Sequence, residues 1–422
     1  MNTSRLLLVS LLPLFLSGCG NFRKLSSDLK LLDESYRIGG VIENSHDFKV
    51  PVWASVIEWD PKSGEVFSGD RVQLSEGAAF GFVVKSPRNQ HVTAYADSNR
   101  NGRYDPREPF WSTDVKFEED RKVKVTGRLD ASNTPAAGLR EAIDRMLAGR
   151  KVEEVISRRG VKFSLGEIAD LDDPRFAATR GEDGLWTPAT MAITHGFGIY
   201  FLEPYDPSRT PVLFVHGAAG SPQDWRHAMG QLDRRRYQPW FYFYPSGGRL
   251  EEAARALNDG VELLHRRYGF DRLHVVAHSM GGLVARRFVQ INVIDHRQTY
   301  INTFITVSTP WAGHERAASG VKWAPSVVPS WRDMEEGSPF LTHLYDKRLK
   351  GKVNHHLFYG HLSSRSVLMP SENDGTVSVA SELRPEAKSD AVSVQGYKED
   401  HMSILSSRPA LLRAKQILDA SD

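Results

Sequence analysis

The chain has one cysteine in 422 residues, so no disulfide can form within it and packing and hydrogen bonds must hold its fold. It also lacks a charge excess. The 54 Lys and Arg against 52 Asp and Glu leave +2, and without a long basic stripe this argues against a nucleic-acid footprint. Long apolar runs are missing except at the N-terminus, and a mean hydropathy of −0.40 excludes a polytopic membrane protein. There is no internal repeat, low-complexity tract or collagen-like glycine period. What remains is 40% hydrophobic and 25% charged, ordinary for a globular chain that buries a sizeable core, and the length calls for two folded units.

The one apolar run follows Arg5: Leu6, Leu7, Leu8, Val9, Leu11, Leu12, Leu14, Phe15 and Leu16, ending at Ser17-Gly18-Cys19. A basic start, a short apolar stretch and small residues before the cut describe a secretory leader over residues 1–18. The run is too short for a span of about twenty apolar residues. The only cysteine stands at the cut. Leu16-Ser17-Gly18-Cys19 resembles the lipobox of bacterial lipoproteins. That resemblance implies removal of the leader, acylation of Cys19 and a lipid-anchored place in the bacterial cell envelope, with the membrane as partner. Gly20, where an Asp would favour inner-membrane retention, points to the outer membrane. Each buried CH₂ adds about 0.8 kcal/mol, so several acyl chains hold far more firmly than one.

Residues 19–38 are polar and mixed and read as a tether. Over 39–129 the pattern has period two: Val50, Val52, Ala54 and Val56, then Phe80, Phe82 and Val84, then Val92, Ala94 and Ala96. Turn signals such as Pro61-Lys62-Ser63-Gly64 separate these runs, which predicts a small all-β sandwich. Within it, Asp97, Asn99, Asn101, Asp105 and Glu108 surround Gly102 in the spacing of a calcium-binding loop. A strand precedes this loop and Pro106 and Pro109 follow, so a structural calcium inside a β-module and a solvated Asx-rich turn are both open. Residues 130–198 read as a helical connector, with Leu139, Ile143, Met146, Leu147, Val152, Val155 and Ile156 at helical spacing, followed by a loop. From 199 to 422 strands alternate with helices. That predicts an α/β fold, a mostly parallel sheet with helices on both faces.

The chemistry concentrates in this last region. A buried β-run, Leu273 to Ala277, enters His278-Ser279-Met280-Gly281-Gly282 and leaves as an amphipathic helix. Strand, sharp turn and helix are the context of a nucleophile elbow, which lifts a serine hydroxyl clear of the sheet and needs small residues two positions either side. Gly281 supplies one and Ala277 the other. Residues from about 199 to 418 resemble an α/β-hydrolase, and Ala-His-Ser-Met-Gly-Gly is similar to bacterial lipases and esterases. The resemblance implies Ser279 as nucleophile. It implies Asp374, in Asn373-Asp374-Gly375-Thr376-Val377, as acid and His401, after the strand Ala391 to Val394, as base. The order is nucleophile, acid, base. Glu372 and Asp400 are rival acids. The His216-Gly217-Ala218 loop after the strand Pro211 to Val215 implies an oxyanion hole formed by the N–H groups of Ala218 and Met280, with His216 structural.

A serine hydroxyl is a poor nucleophile until a base takes its proton, which is the role of the histidine. Protonation of that histidine on acidification therefore stops the reaction. A long insertion at about 311–350, carrying Trp311, Trp323, Val327, Val328, Trp331, Phe340 and Leu341, reads as a cap that either lines an acyl pocket or simply packs. Ser308-Thr309-Pro310-Trp311-Ala312-Gly313 resembles a segment of lipases and lipid-remodelling deacylases. The pair His355-His356 has no third ligand at useful spacing, so a metal role is disfavoured. The expectation is a serine esterase or lipase acting on acyl esters or lipids, with no cofactor required for catalysis. An acyltransferase with the same triad, and an inert surface binding or assembly lipoprotein, remain alternatives.

Overall fold

The structure is a computed structural model, which describes residues 12–74, 79–147, 160–362 and 372–421. The leader up to Leu11, Val152, Val155 and Ile156 of the expected connector, and the side chains of Cys19 and Trp323, lie outside the described residues. The chain forms two compact units: one of residues 31–169 and 191–204, the other of residues up to Lys30, 170–190 and 205–422.

The first unit holds β1 (Tyr36–Ile42), β2 (Val52–Trp59), β3 (Val66–Leu74), β4 (Ala79–Val84), β5 (Gln90–Ala96), β6 (Phe110–Val115), β7 (Lys122–Gly127), β8 (Gly160–Ile168) and β9 (Phe197–Phe201). One antiparallel sheet runs β3-β2-β5-β6. The other strands run β9-β8-β4-β1-β7, with β1–β7 and β8–β9 parallel. The alternation legible in the sequence sets the layers. Val52, Ala54 and Val56 share one apolar cluster with Ile38, Phe80, Phe82, Val92 and Ala94. Trp53, Ile57 and Trp59, on the opposite face of β2, meet Leu139, Ile143 and Met146 of the helix Leu139–Leu147. A strand buried on both faces loses the polar alternate residues that a half-solvated one would show.

The calcium expectation does not fit the geometry of the loop. Asp97 turns its two oxygens to the N–H groups of Asn101 and Gly102, at 3.0 and 2.7 Å. Glu108 turns its own to Ser98 and Asp105, at 2.6 and 2.9 Å. Asp105 accepts from the side-chain amides of Asn99 and Asn101. Among the described residues, no group of three or more His, Cys, Asp or Glu is placed to hold a metal ion. The positive charge under the loop belongs to buried Arg71, which donates to the Gly102 carbonyl at 2.5 Å and lies 4.1 Å above the ring of Trp53.

The second unit is built on β10 (Thr210–Val215), β11 (Tyr237–Phe243), β12 (Leu273–His278), β13 (Ile301–Val307), β14 (Asn354–Gly360) and β15 (Ser393–Tyr397). These run β15-β14-β13-β12-β10-β11, every pair parallel. β11 and β12 are buried at every position, as strands of a parallel sheet covered by helices must be. Loops at the carboxyl ends of such strands are where an open α/β sheet places its ligand site.

Three sequence boundaries are corrected. Residues 20–30 are not a free tether: they continue the helix Leu12–Asp33, and Leu25 and Asp28 are buried in the second unit. Phe22, Leu25 and Leu29 recur at helical spacing, a period that the polar residues between them obscured. The expected connector is divided, since 139–147 and β8 serve the β-rich unit whereas 170–190 join the second. β9 lies with the β-rich unit, so the second unit resumes at Tyr205 rather than at 199.

Candidate active site

β12 ends in His278, and the chain then turns through Ser279 at φ 53°, ψ −132° into the helix Met280–Val289. A positive φ on a residue with a Cβ is strained and persists only where its surroundings impose it. Here the surroundings are close: a Cβ on Gly281 would meet the His216 carbonyl oxygen at 2.2 Å, and one on Gly217 the Ser279 Cβ at 2.9 Å. Gly282 is packed against Thr309, whose Oγ1 lies 2.0 Å from where a Cβ would stand. The glycines of the elbow are therefore fixed by approach of neighbouring backbone and side chains.

Ser279, Asp374 and His401 come together from three separate segments. His401 Nε2 lies 2.8 Å from Ser279 Oγ, and His401 Nδ1 lies 2.5 Å from Asp374 Oδ2. The carboxylate can only accept, so Nδ1 carries the proton and Nε2 is left to receive one from the serine. Asp374 Oδ1 accepts from the N–H groups of Thr376 and Val377, and the Asp374 carbonyl accepts from His401 N–H at 2.9 Å. Burial alone would raise the Asp374 carboxyl. The His401 hydrogen bond and charge, with the two main-chain N–H groups, outweigh burial and hold it below the ordinary value. Such a relay can move a proton from hydroxyl to imidazole while the carboxylate stabilises the resulting charge.

The rival acids are elsewhere engaged. Asp400 caps its own loop through the N–H groups of Met402 and Ser403, and Glu372 faces His361 at 3.8 Å. His216 is structural: its Nδ1–H donates to the Gly217 carbonyl at 2.8 Å, its Nε2 accepts from Tyr244 N–H, and burial pulls the imidazole down to about 4. His355 pairs with Thr306 and His356 with Ser393.

The loop bearing Ala218 is held beside the elbow. Ala219 N–H donates to Ser246 Oγ at 3.0 Å, and the Gly220 N–H to the Gly217 carbonyl. Met280 is the first residue of its helix, so its N–H has no intrahelical acceptor and is free to aim at a ligand oxygen. In the expected cap, Trp311, Val328 and Leu341 are fully buried. For those three the packing role holds, not the lining of an acyl pocket.

A family model described as the alpha/beta hydrolase family matches residues 212–390. The chain carries an α/β-hydrolase domain. Over 120 residues it is 31% identical to the lysosomal phospholipase A and acyltransferase of Canis lupus familiaris and 30% identical to that of Bos taurus. Those matches span 28% of this chain and 28% of each relative's length. Among solved structures it is similar to a lipase of Bacillus licheniformis in mature form, at 20% identity and TM-score 0.41, over 53% of this chain and 97% of that one. It is also similar to a phospholipase of Legionella pneumophila, at 17% identity and TM-score 0.34, over 41% and 45%.

Two parts of the unit that holds the hydrolase domain were missed in the sequence. Asp28 accepts from Ala189 N–H and Thr190 N–H, both at 2.8 Å, at the start of the helix Pro188–Thr194. The helix Ala178–Trp186 presses Gly181 on the loop bearing Ala218, where a Cβ would meet the Ala219 carbonyl oxygen at 2.3 Å. Phe22, Trp186 and Trp331 meet edge to face, with ring centroids 5.3 to 6.4 Å apart. The apolar spacing of 22–29 was the available signal for the first part; Gly181 has none in the sequence.

Proposed function

We propose that the protein is a serine hydrolase that cleaves carboxylic acyl esters of the lipase and esterase kind, with Ser279 as nucleophile, His401 as base and Asp374 as the acid that orients it. The observation that carries this reading is the unbroken hydrogen-bonded path from Ser279 Oγ through His401 to Asp374. Ser279 attacks the ester carbonyl as His401 takes its proton. The N–H groups of Ala218 and Met280 receive the developing oxyanion, a contribution worth about 100–1000-fold per donor. His401 returns the proton to the leaving alcohol, and water releases the acyl group from Ser279 by the same route in reverse.

The names of the mammalian relatives, which join phospholipase A to acyltransferase, support a lipid acyl ester as substrate and leave an alcohol as a second acceptor. Nothing in the proposed chemistry calls for a cofactor. We further propose that Cys19 is acylated and anchors the protein in the bacterial outer membrane, on the strength of Leu16-Ser17-Gly18-Cys19 and Gly20. In the fold, Gly20 and Phe22 follow on the helix that carries Leu25 into the second unit.

The test is fluorophosphonate labelling of the purified mature protein beside Ser279→Ala, then hydrolysis of p-nitrophenyl esters of graded chain length and of phospholipid vesicles. Labelling confined to the wild type, with ester turnover that Ser279→Ala abolishes, is the expected result. A folded wild type that neither labels nor turns over any ester, with or without detergent, overturns the reading and favours an inert binding or assembly protein.

A further inference from the structure

Behind the triad lies a second carboxyl group that the reaction above does not use. Glu382 ends the short helix Val379–Glu382, which the chain enters directly after the Asp374 turn, and its side chain is 0% exposed. Its Oε1 accepts from the Gly360 N–H, at the end of β14, at 3.4 Å. The Ser308 hydroxyl, just past the end of β13, faces the same carboxyl. Ser308 Oγ and Glu382 Oε2 are both buried, and neither has a hydrogen-bond partner among the described residues. Gly360 is pressed between these groups and the catalytic turn: a Cβ there would stand 3.0 Å from Asp374 Cβ and 3.3 Å from Ser308 Oγ.

We propose that Glu382 is a positioning residue for the catalytic acid, joining the ends of β13 and β14 through Ser308 and Gly360 so that Asp374 keeps its place facing His401. The inference rests on the triad reading given above. A buried carboxylate without a cation is costly, and such a group protonates instead. Here the nearest arginine in sequence, Arg384, is spent on Glu386. Burial, then the negative charge of Asp374, push the Glu382 carboxyl far above its ordinary value, while Asp374 is held below its own. Two neighbouring carboxyl groups driven apart in this way take different roles. Glu382 stays neutral, with an O–H to give to Ser308 Oγ and an oxygen to accept from Gly360. Asp374 keeps its negative charge against His401. Ser308 itself sits at φ 48°, a strained conformation beside the two unmet atoms that the proposal joins.

The experiment compares Glu382→Leu, Glu382→Gln and Ser308→Ala in the full-length mature protein. It reads kcat and KM on p-nitrophenyl butyrate, the low-field proton resonance of His401 Nδ1–H, and Tm. Leucine removes the hydrogen bond from Gly360 and the proposed one to Ser308, and we expect kcat to fall about tenfold with KM unchanged, equivalent to one hydrogen bond's worth of transition-state stabilisation. The His401 resonance shifts with it. Glutamine is neutral, can donate to Ser308 and accept from Gly360, and restores most of kcat and the wild-type resonance. Ser308→Ala moves kcat and the resonance in the direction of leucine, and carries the test should Glu382→Leu fail to fold. The proposal is overturned if kcat and the resonance stay at wild-type values in Glu382→Leu, or in Ser308→Ala should leucine not fold. It is equally overturned if glutamine restores Tm but not the resonance. A wild type without ester turnover removes the triad reading itself, which is a separate failure.

Discussion

The imidazole of His278, the residue before the nucleophile, donates its Nε2–H to the carbonyl oxygen of His401 at 2.8 Å. Burial, and then the neighbouring His401, pull the His278 imidazole down to about 3, so it is neutral and the proton on Nε2 is fixed by the carbonyl it serves. The end of β12 thus holds both partners of the proposed proton transfer: Ser279 through the chain and His401 through this bond. Replacing His278 by Ala leaves the His401 loop without that donor. We expect kcat to fall about tenfold with KM little changed, the value of one buried hydrogen bond. Steady-state kinetics on a soluble ester checks this; a matched fall in Tm and no change in kcat at low temperature would contradict it.

The docking of residues 20–30 has a stability consequence. Asp28 is 4% exposed and accepts two main-chain N–H groups and the Thr190 hydroxyl. Asp28→Ala leaves the buried Ala189 N–H unmet, which costs about 1–3 kcal/mol and lowers the Tm by several degrees. A free tether would tolerate the same change with no effect. Differential scanning calorimetry on the mature protein separates the two.

Acid sensitivity follows from the buried histidines. His216, His278 and His355 are pulled down to about 4, 3 and 3 by burial, whereas in the unfolded chain a histidine titrates near 6.5. Between these values the unfolded state binds more protons, so stability is full above about pH 6.5 and is lost as pH falls toward 4. Each group contributes roughly 1 kcal/mol per pH unit over that window. Urea unfolding at pH 7 and pH 5 should show a marked loss at the lower pH, reduced in His355→Gln. Equal midpoints at the two pH values would contradict it.

The loop at 97–108 gives the opposite expectation for metal. Asp97 and Glu108 accept from main-chain N–H groups, Asp105 from the side-chain amides of Asn99 and Asn101, and Arg71 lies against the Gly102 carbonyl. Chelator or added calcium should therefore leave Tm and ester turnover unchanged. A rise of several degrees in calcium would show that the loop reorganises around the ion.

Much of this protein is set by local pattern. The alternation from Val52 to Val56 and from Phe80 to Val84 fixes which residues face the shared core of the β-rich unit, because a strand has a strict period of two. The run from Leu273 into Gly282 marks the elbow, because strand, tight turn and helix each constrain residue size. The order Ser279, Asp374, His401 is read from the resemblance to α/β-hydrolases rather than from local pattern. What the chain order could not convey is which distant groups share one buried space. The calcium spacing of Asp97 to Glu108 is genuine, but where those oxygens point depends on backbone N–H groups and on Arg71, which is brought in from β3. Residues 20–30 look polar until Ala189 and Thr190 offer their N–H groups to Asp28. Glu382 is one glutamate among many until the fold buries it near Asp374, which pushes its carboxyl above the ordinary value. Burial and long-range hydrogen bonds depend on the whole fold, and only the tertiary structure decides them.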